Sequence, residues 1–292
     1  MKKTTDKTKR SRHPDIIGGQ AVINGVMMKN KDKVAVAVRK DTGEIELRRI
    51  KFKSLMHKKL FQLPFLRGII ILFEMLILGI KALNISSELS ISSEEEKTNL
   101  LGFIIVFLFS LVFAVLLFVF LPLWTGNLLY KKTDILFNII DGIIRIGVFV
   151  AYIFIISLLK DVKVLFRYHG AEHKTIHCYE HREKLTPKNI KKYSTLHSRC
   201  GTTFIFIVMV VSILFFSLIT SKSFFIKLLT RLLFVPVIAG VSYELLRLGF
   251  RYENNFFVEM MIFPGLMFQK ITTKEPDEKQ IEVAIKAFNA VK

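Results

Sequence analysis

Residues 100–123 carry no ionisable side chain, and an apolar run of that length has one physical solution. About 20 residues of helix match the roughly 30 Å hydrocarbon core of a bilayer, where a helix satisfies its own backbone groups. Pro122 and Trp124 close the run, the tryptophan being an aromatic interface marker. Three further stretches follow the same pattern. Residues 139–159 hold Asp141 and Arg145 at their entry, four apart and able to pair. Residues 203–219 are uncharged, and 224–245 start with Lys227 and Arg231, long enough to snorkel. With 51% apolar residues overall, the expected fold is a mainly α membrane protein. It has about four transmembrane helices plus interfacial helices, and a small cytosolic β-hairpin element near the N-terminus.

Residues 64–83 are also apolar, but Arg67, Glu74 and Lys81 recur every seven residues on one side of a helix. This segment is expected to lie in the interface. With that assignment, the positive-inside rule places the basic N-terminal region, the 160–202 loop and the C-terminal tail together on the cytosolic side of the membrane. The first 60 residues are polar and basic and do not read as a secretory signal peptide. Topology control accounts for much of the +19 formal charge. Anionic lipid or a membrane-protein partner fits the remainder, and no sequence-specific nucleic acid is expected.

The chain then divides in order. Residues 1–15 form a disordered basic tail. Residues 16–63 form a cytosolic β element with a Gly-rich stretch at 18–28, where backbone can approach a neighbour closely, and a hairpin of 34–40 and 45–52 around Asp41-Thr42-Gly43-Glu44. Residues 64–99 are the interfacial amphipathic helix and a polar connector. Residues 100–159 and 203–245 are transmembrane helical hairpins flanking a cytosolic His/Cys-rich loop domain, 160–202. Residues 246–292 contain an interfacial segment, 256–268, too short to span and stopped by Pro264-Gly265. A C-terminal cytosolic helix follows, with Ile281, Ala284, Ile285 and Phe288 on one stripe. Glu244 and Arg247, at i and i+3, are expected to pair.

The loop domain holds five of the seven histidines and both cysteines. His169, His173, His177 and His181 recur at i+4, so neighbouring pairs share a helix face. Imidazole and thiolate are preferred by borderline-soft divalent ions, zinc above all, and His173, His197 and Cys200 supply both kinds from two segments. His169-x-x-Glu172-His173 also has the inverted zincin order, in which the glutamate serves the metal's water. A solvated helix face at the membrane surface is the plain alternative, and the density of donors argues against it. The cysteines are expected to be reduced thiols or ligands.

Gly18-Gly19-Gln20-Ala21-Val22-Ile23-Asn24-Gly25-Val26-Met27-Met28, Pro64-Phe65-Leu66-Arg67-Gly68, the 169–176 and 197–202 motifs, Ser242-Tyr243-Glu244-Leu245-Leu246-Arg247 and the 264–277 run together resemble the YqhQ family of bacterial membrane proteins. That family is a domain of unknown function described as predicted metal-dependent enzymes. The resemblance implies His169, Glu172, His173, His197 and Cys200 as shared motif positions and leaves His177, Cys178 and His181 as surface residues. Two functions follow as expectations. One is a metal-dependent hydrolase at the membrane surface, with Glu172 catalytic and the divalent ion on His169, His173 and either His197 or Cys200. The other is a non-catalytic membrane protein in which the same cluster staples the cytosolic domain, acting in membrane-protein assembly or regulation through partner binding.

Overall fold

The computed structural model describes residues 17–90, 100–132, 134–219, 221–252 and 255–292. The basic tail at 1–15 and most of the connector's acidic run lie outside these residues.

The N-terminal region is a four-stranded antiparallel meander: β1 (Gly18–Val22), β2 (Gly25–Asn30), β3 (Lys33–Arg39) and β4 (Ile45–Lys51), in that order. The expected hairpin corresponds to β3 and β4. The Gly-rich stretch adds a second hairpin, β1 with β2, beyond the one expected at 34–52. Val22 pairs with Gly25 and Asn30 with Lys33, so each of the two new turns is two residues long. Asn24 and Lys31 take positive φ there, 50° and 53°, as such tight turns require.

The sheet is covered on both faces. Val26, Met28, Ala35 and Ala37 pack towards helices α5 (Lys160–Glu180) and α11 (Glu278–Asn289), with Ile281, Ala284 and Phe288 in the same core. Val22, Met27, Val34, Val36 and Val38 pack against Leu78, Ala82 and Leu89 of α1 (Leu66–Ser90). Helix α11 begins on a capping box of Asp277 and Gln280. Its apolar stripe docks as the spacing predicts.

Helix α1 runs 25 residues, through the first part of the expected connector. Two of its three regularly spaced charges turn inward. Glu74 accepts from Ser54 Oγ at 3.0 Å and from Leu55 N, and Arg67 pairs with Glu244. The remaining helices are α2 (Leu100–Val115), α3 (Leu121–Leu129), α4 (Ile135–Ile156), α6 (Pro187–Ile190), α7 (Gly201–Ser217), α8 (Phe224–Leu233), α9 (Val235–Arg251) and α10 (Phe256–Thr272). A π-turn, Leu116–Phe120, joins α2 to α3.

Among the described residues, three helical stretches are long and apolar enough to cross a membrane: Leu66–Ser90, Ile104–Leu129 and Ile135–Ile156. A fourth results if α8 and α9, bent by 49°, count as one. Helix α7 is apolar but only 17 residues long. This composition and length point to membrane association.

Two local expectations change. Pro264 does not stop its helix, because α10 continues to Thr272, and Gly265 lets α10 press on α7 where a Cβ would meet Thr203 Cα at 2.9 Å. Glu244 binds Arg67, not Arg247: Arg67 Nε donates to Oε1 at 2.6 Å, and Phe65 N donates to the same oxygen at 3.2 Å. The Asp141–Arg145 pair forms, at 2.9 Å.

Candidate metal centre

Helix α5 is buried on all sides over Gly170–Ile176, and its histidine row faces the segment 195–200 and the end of α10. Lys274 N donates to Phe166 O at 2.9 Å, fixing the chain after α10 along α5. Gly170 makes this approach possible, since a Cβ there would lie 2.1 Å from Lys274 O. Lys174, buried, pairs with Glu275 and donates to Lys191 O at 3.1 Å.

His169 and His173, one turn apart, have ring centroids 4.4 Å apart. The Nδ1 of His169 meets Thr272 O at 2.9 Å, and the Nδ1 of His173 meets Thr195 O. Each main-chain carbonyl accepts an N–H, which places that proton on Nδ1 and leaves an Nε2 lone pair. This is the orientation that metal-bound histidines receive from their surroundings. His169 Nε2 lies 3.2 Å from Cys200 Sγ, near the roughly 3.6 Å that tetrahedral zinc sets between nitrogen and sulfur ligands. Ligand atoms of His169, His173 and Cys200 all fall within 4.8 Å of one another. Cys200 is the N-cap of α7, where Thr202 N and Oγ1 approach its sulfur at 3.5 and 3.2 Å and the helix dipole favours negative charge.

His197 stands beside this group, 5.6 Å from His173 by ring centroids and 4.5 Å from His177. Gln269 clamps its backbone, accepting from His197 N and donating to His197 O at 2.8 Å each. Arg199 N donates to His197 Nδ1 at 3.1 Å, and Nε2 faces Glu180 Oε2 at 3.5 Å. A neutral ring that accepts at Nδ1 carries its proton on Nε2, directed at the carboxylate. Glu180 also pairs with Arg199. His177, Glu180 and His197 have donor atoms close enough to form a second potential ligand group, yet this tautomer makes His197 a partner of Glu180.

Glu172 is buried between α5 and β1. Gly19 N donates to its carboxylate, and a Cβ on Gly19 would sit 3.0 Å from Glu172 Cγ. The close approach expected of the Gly-rich stretch is therefore made to Glu172. Burial pushes the Glu172 carboxyl above its usual range, against the opposing pull of His169 and His197. Burial likewise holds His173 below its ordinary value and His177 down at about 4, so both rings are neutral at pH 7.

Two of the three residues left as surface positions are not at the surface. Cys178 is fully buried in the core beneath α11, and His177 is half-buried, its Nε2 2.9 Å from Leu196 O. His181 is exposed as expected. Thr195 and Thr272, which orient the ligand-bearing rings, carry no signal in sequence because they act through main-chain oxygens.

The profile of a family described as a protein of unknown function, DUF1385, matches residues 63–292. The chain belongs to that family. It is also 32% identical to the uncharacterized protein YqhQ of Bacillus subtilis (strain 168) over 301 residues, covering 96% of this chain and 93% of the relative. No solved structure matches. All six motifs except the Gly-rich one fall inside the family region, so the His169, His173 and Cys200 cluster and its supports on α10 lie in the shared part of the chain.

Proposed function

We propose that this protein is an integral membrane hydrolase that holds a divalent ion, zinc by its donor set, on His169, His173 and Cys200 at the cytosolic face of the bilayer. The observation that carries the reading is the pair of imidazoles pinned through Nδ1 by Thr272 O and Thr195 O, their other nitrogens converging on one sulfur. Two neutral imidazoles and a thiolate suit zinc, and three protein ligands leave a position for water. Bound there, the ion supplies Lewis acidity and a more acidic water.

The chain's own residues do the rest. Glu172, whose carboxyl is raised by burial, holds its proton to higher pH than an exposed carboxylate and is placed to take up or return one. Gly18, where an added Cβ would meet nothing within 4 Å, leaves open space on the strand beside it. Substrates that reach such a site laterally are lipid-linked groups or membrane peptides. The cytosolic assignment rests on the positive charge of the loop that contains the site.

A second reading has its own support. The three donors also tie α5 to the start of α7 and the end of α10, as a structural staple would. In that case the protein is non-catalytic and its basic face binds a membrane-protein partner or anionic lipid. Metal content and a cellular phenotype separate the two in the full-length protein. Catalysis predicts that Glu172→Gln keeps metal and fold and loses the phenotype; a phenotype that survives Glu172→Gln and tracks only with ligand loss and unfolding refutes it.

A further inference from the structure

A second polar cluster lies at the other end of the helical bundle. Asn138, Asp141 and Arg145 share one face of α4. Arg231 of α8 donates to Asp141 Oδ2 through Nε at 3.2 Å and Nη2 at 2.9 Å, and to Asn138 Oδ1 at 3.1 Å. Arg145 Nη2 donates to the same Asp141 oxygen at 2.9 Å. Both guanidinium groups lie near the Phe216 ring, 5.9 and 5.0 Å from its centroid. Lys227, one turn before Arg231, sits 3.7 Å from the Phe137 centroid.

The charges do not balance. Arg145, Lys227 and Arg231 face a single carboxylate, Asp141, whose side chain is 2% exposed. Lys227 is 5% exposed, and among the described residues its Nζ has no hydrogen-bond partner. Arg145 Nε and Asp141 Oδ1 are likewise buried without one. Burying a cation costs several kcal/mol without a counter-charge, and the Phe137 ring offsets only part of that for Lys227, so an added anion would stabilise the cluster. The unused groups are two donors and one acceptor. They match a phosphate oxygen pair beside a hydroxyl.

Position selects the source of that phosphate. Cys200 opens α7 and Phe216 lies sixteen residues further along, about 24 Å away at 1.5 Å per residue. With the metal centre at one membrane surface, the cluster lies near headgroup depth in the opposite leaflet. The outer side of α8 bears Phe225, Leu229 and Leu233, all exposed, which gives an acyl chain a surface beside the cations.

We infer that Lys227, Arg231 and Arg145 form a binding site for the phosphodiester headgroup of an anionic phospholipid with free hydroxyls, in the leaflet opposite the metal centre. The inference rests on the reading that the apolar helices span a membrane.

The test uses the full-length protein in a neutral detergent, with phosphatidylglycerol, phosphatidylcholine or inorganic phosphate added. Phosphatidylglycerol should raise the unfolding temperature by about 5 °C, and the other two should not. Lys227→Gln, which removes no hydrogen bond, should abolish that rise, while Lys222→Gln on the neighbouring loop should keep it. Native mass spectrometry of the wild-type protein should show roughly tenfold preferential retention of phosphatidylglycerol over phosphatidylcholine, a readout independent of how any variant folds. Equal effects of the two lipids, an equal effect of inorganic phosphate, or an undiminished rise in Lys227→Gln would each overturn the site. Recovery of the protein without detergent in a soluble fraction would overturn the spanning reading and the site together.

Discussion

The Nε2 of His169 and the Sγ of Cys200 lie 3.2 Å apart, although 31 residues separate them in the chain. Bonding distance between an imidazole and a thiol held by different helices is the central fact of the candidate centre. Cys200→Ser and His173→Ala should each lower zinc content in the purified protein to background, measured by elemental analysis. His181→Ala, on the exposed end of the same row, should leave it unchanged. Retention of stoichiometric metal by both ligand variants would remove the basis of the centre.

Glu172 gives a pH signature. Burial raises its folded value above the ordinary 4.5, so its stabilising contribution is complete below 4.5 and is lost as pH rises through the folded value. Glu172→Gln should therefore unfold at about the same temperature as wild type at acidic pH, and gain roughly 1 kcal/mol or more on it above neutrality, in metal-free protein. His177 acts in the opposite sense. Its folded value of about 4 means stability present above 6.5 and lost as pH falls through 4. That loss is common to both proteins and cancels in the difference. A gap that is constant across pH would contradict the buried, raised carboxyl.

Arg67 and Glu244 join the start of α1 to α9, with both side chains about four-fifths buried. Glu244→Gln should destabilise the protein by about 2–4 kcal/mol, because Arg67 is left without its counter-charge. Replacing both by methionine should recover most of that loss in a double-mutant cycle of thermal unfolding. A double variant no better than the single would show that the pair is not what holds these helices together.

Gly170 is the point where α5 and the chain after α10 touch. An added methyl there meets a main-chain oxygen, Lys274 O, which has little freedom to move away. Gly170→Ala should cost about 2 kcal/mol or more and should also reduce metal affinity, since displacing this segment moves the Thr272 carbonyl from His169. Calorimetry and metal titration on the same preparation check both parts.

Phe288 is fully buried where α11 meets the sheet and Tyr179. Phe288→Ala should cost about 3–5 kcal/mol by urea unfolding of the detergent-solubilised protein. A loss under 1 kcal/mol would mean that α11 does not seal this core.

Local rules found the elements whose signal is local. The turn at 41–44 and the alternation after it gave β3 and β4, and the uncharged run at 100–123 gave the apolar helix. Strand β2 escaped because Val26, Met27 and Met28 are all buried, one face against α11 and the other against α1, which erases the period of two. The seven-residue recurrence of Arg67, Glu74 and Lys81 marks one side of α1 as polar, but it does not show that Arg67 and Glu74 have protein partners. Their partners, Glu244 and Ser54, are remote in sequence or outside the helix pattern. At the candidate centre, spacing and donor type point to His169, His173, His197 and Cys200 and leave the choice between His197 and Cys200 open; the fold brings donor atoms of His169, His173 and Cys200 within 4.8 Å of one another. The separation of His197 from them depends on a backbone N–H from Arg199, which no residue identity encodes.

The hydrogen bond from His169 to Thr272 O spans 103 residues of chain. During synthesis the ribosome must finish α7, α8, α9 and α10 before that carbonyl exists to orient the ring. A nascent chain therefore carries His169 without its orienting carbonyl until the apolar helices α7 to α10 have been made, whereas Thr195 O is available to His173 before α7 begins.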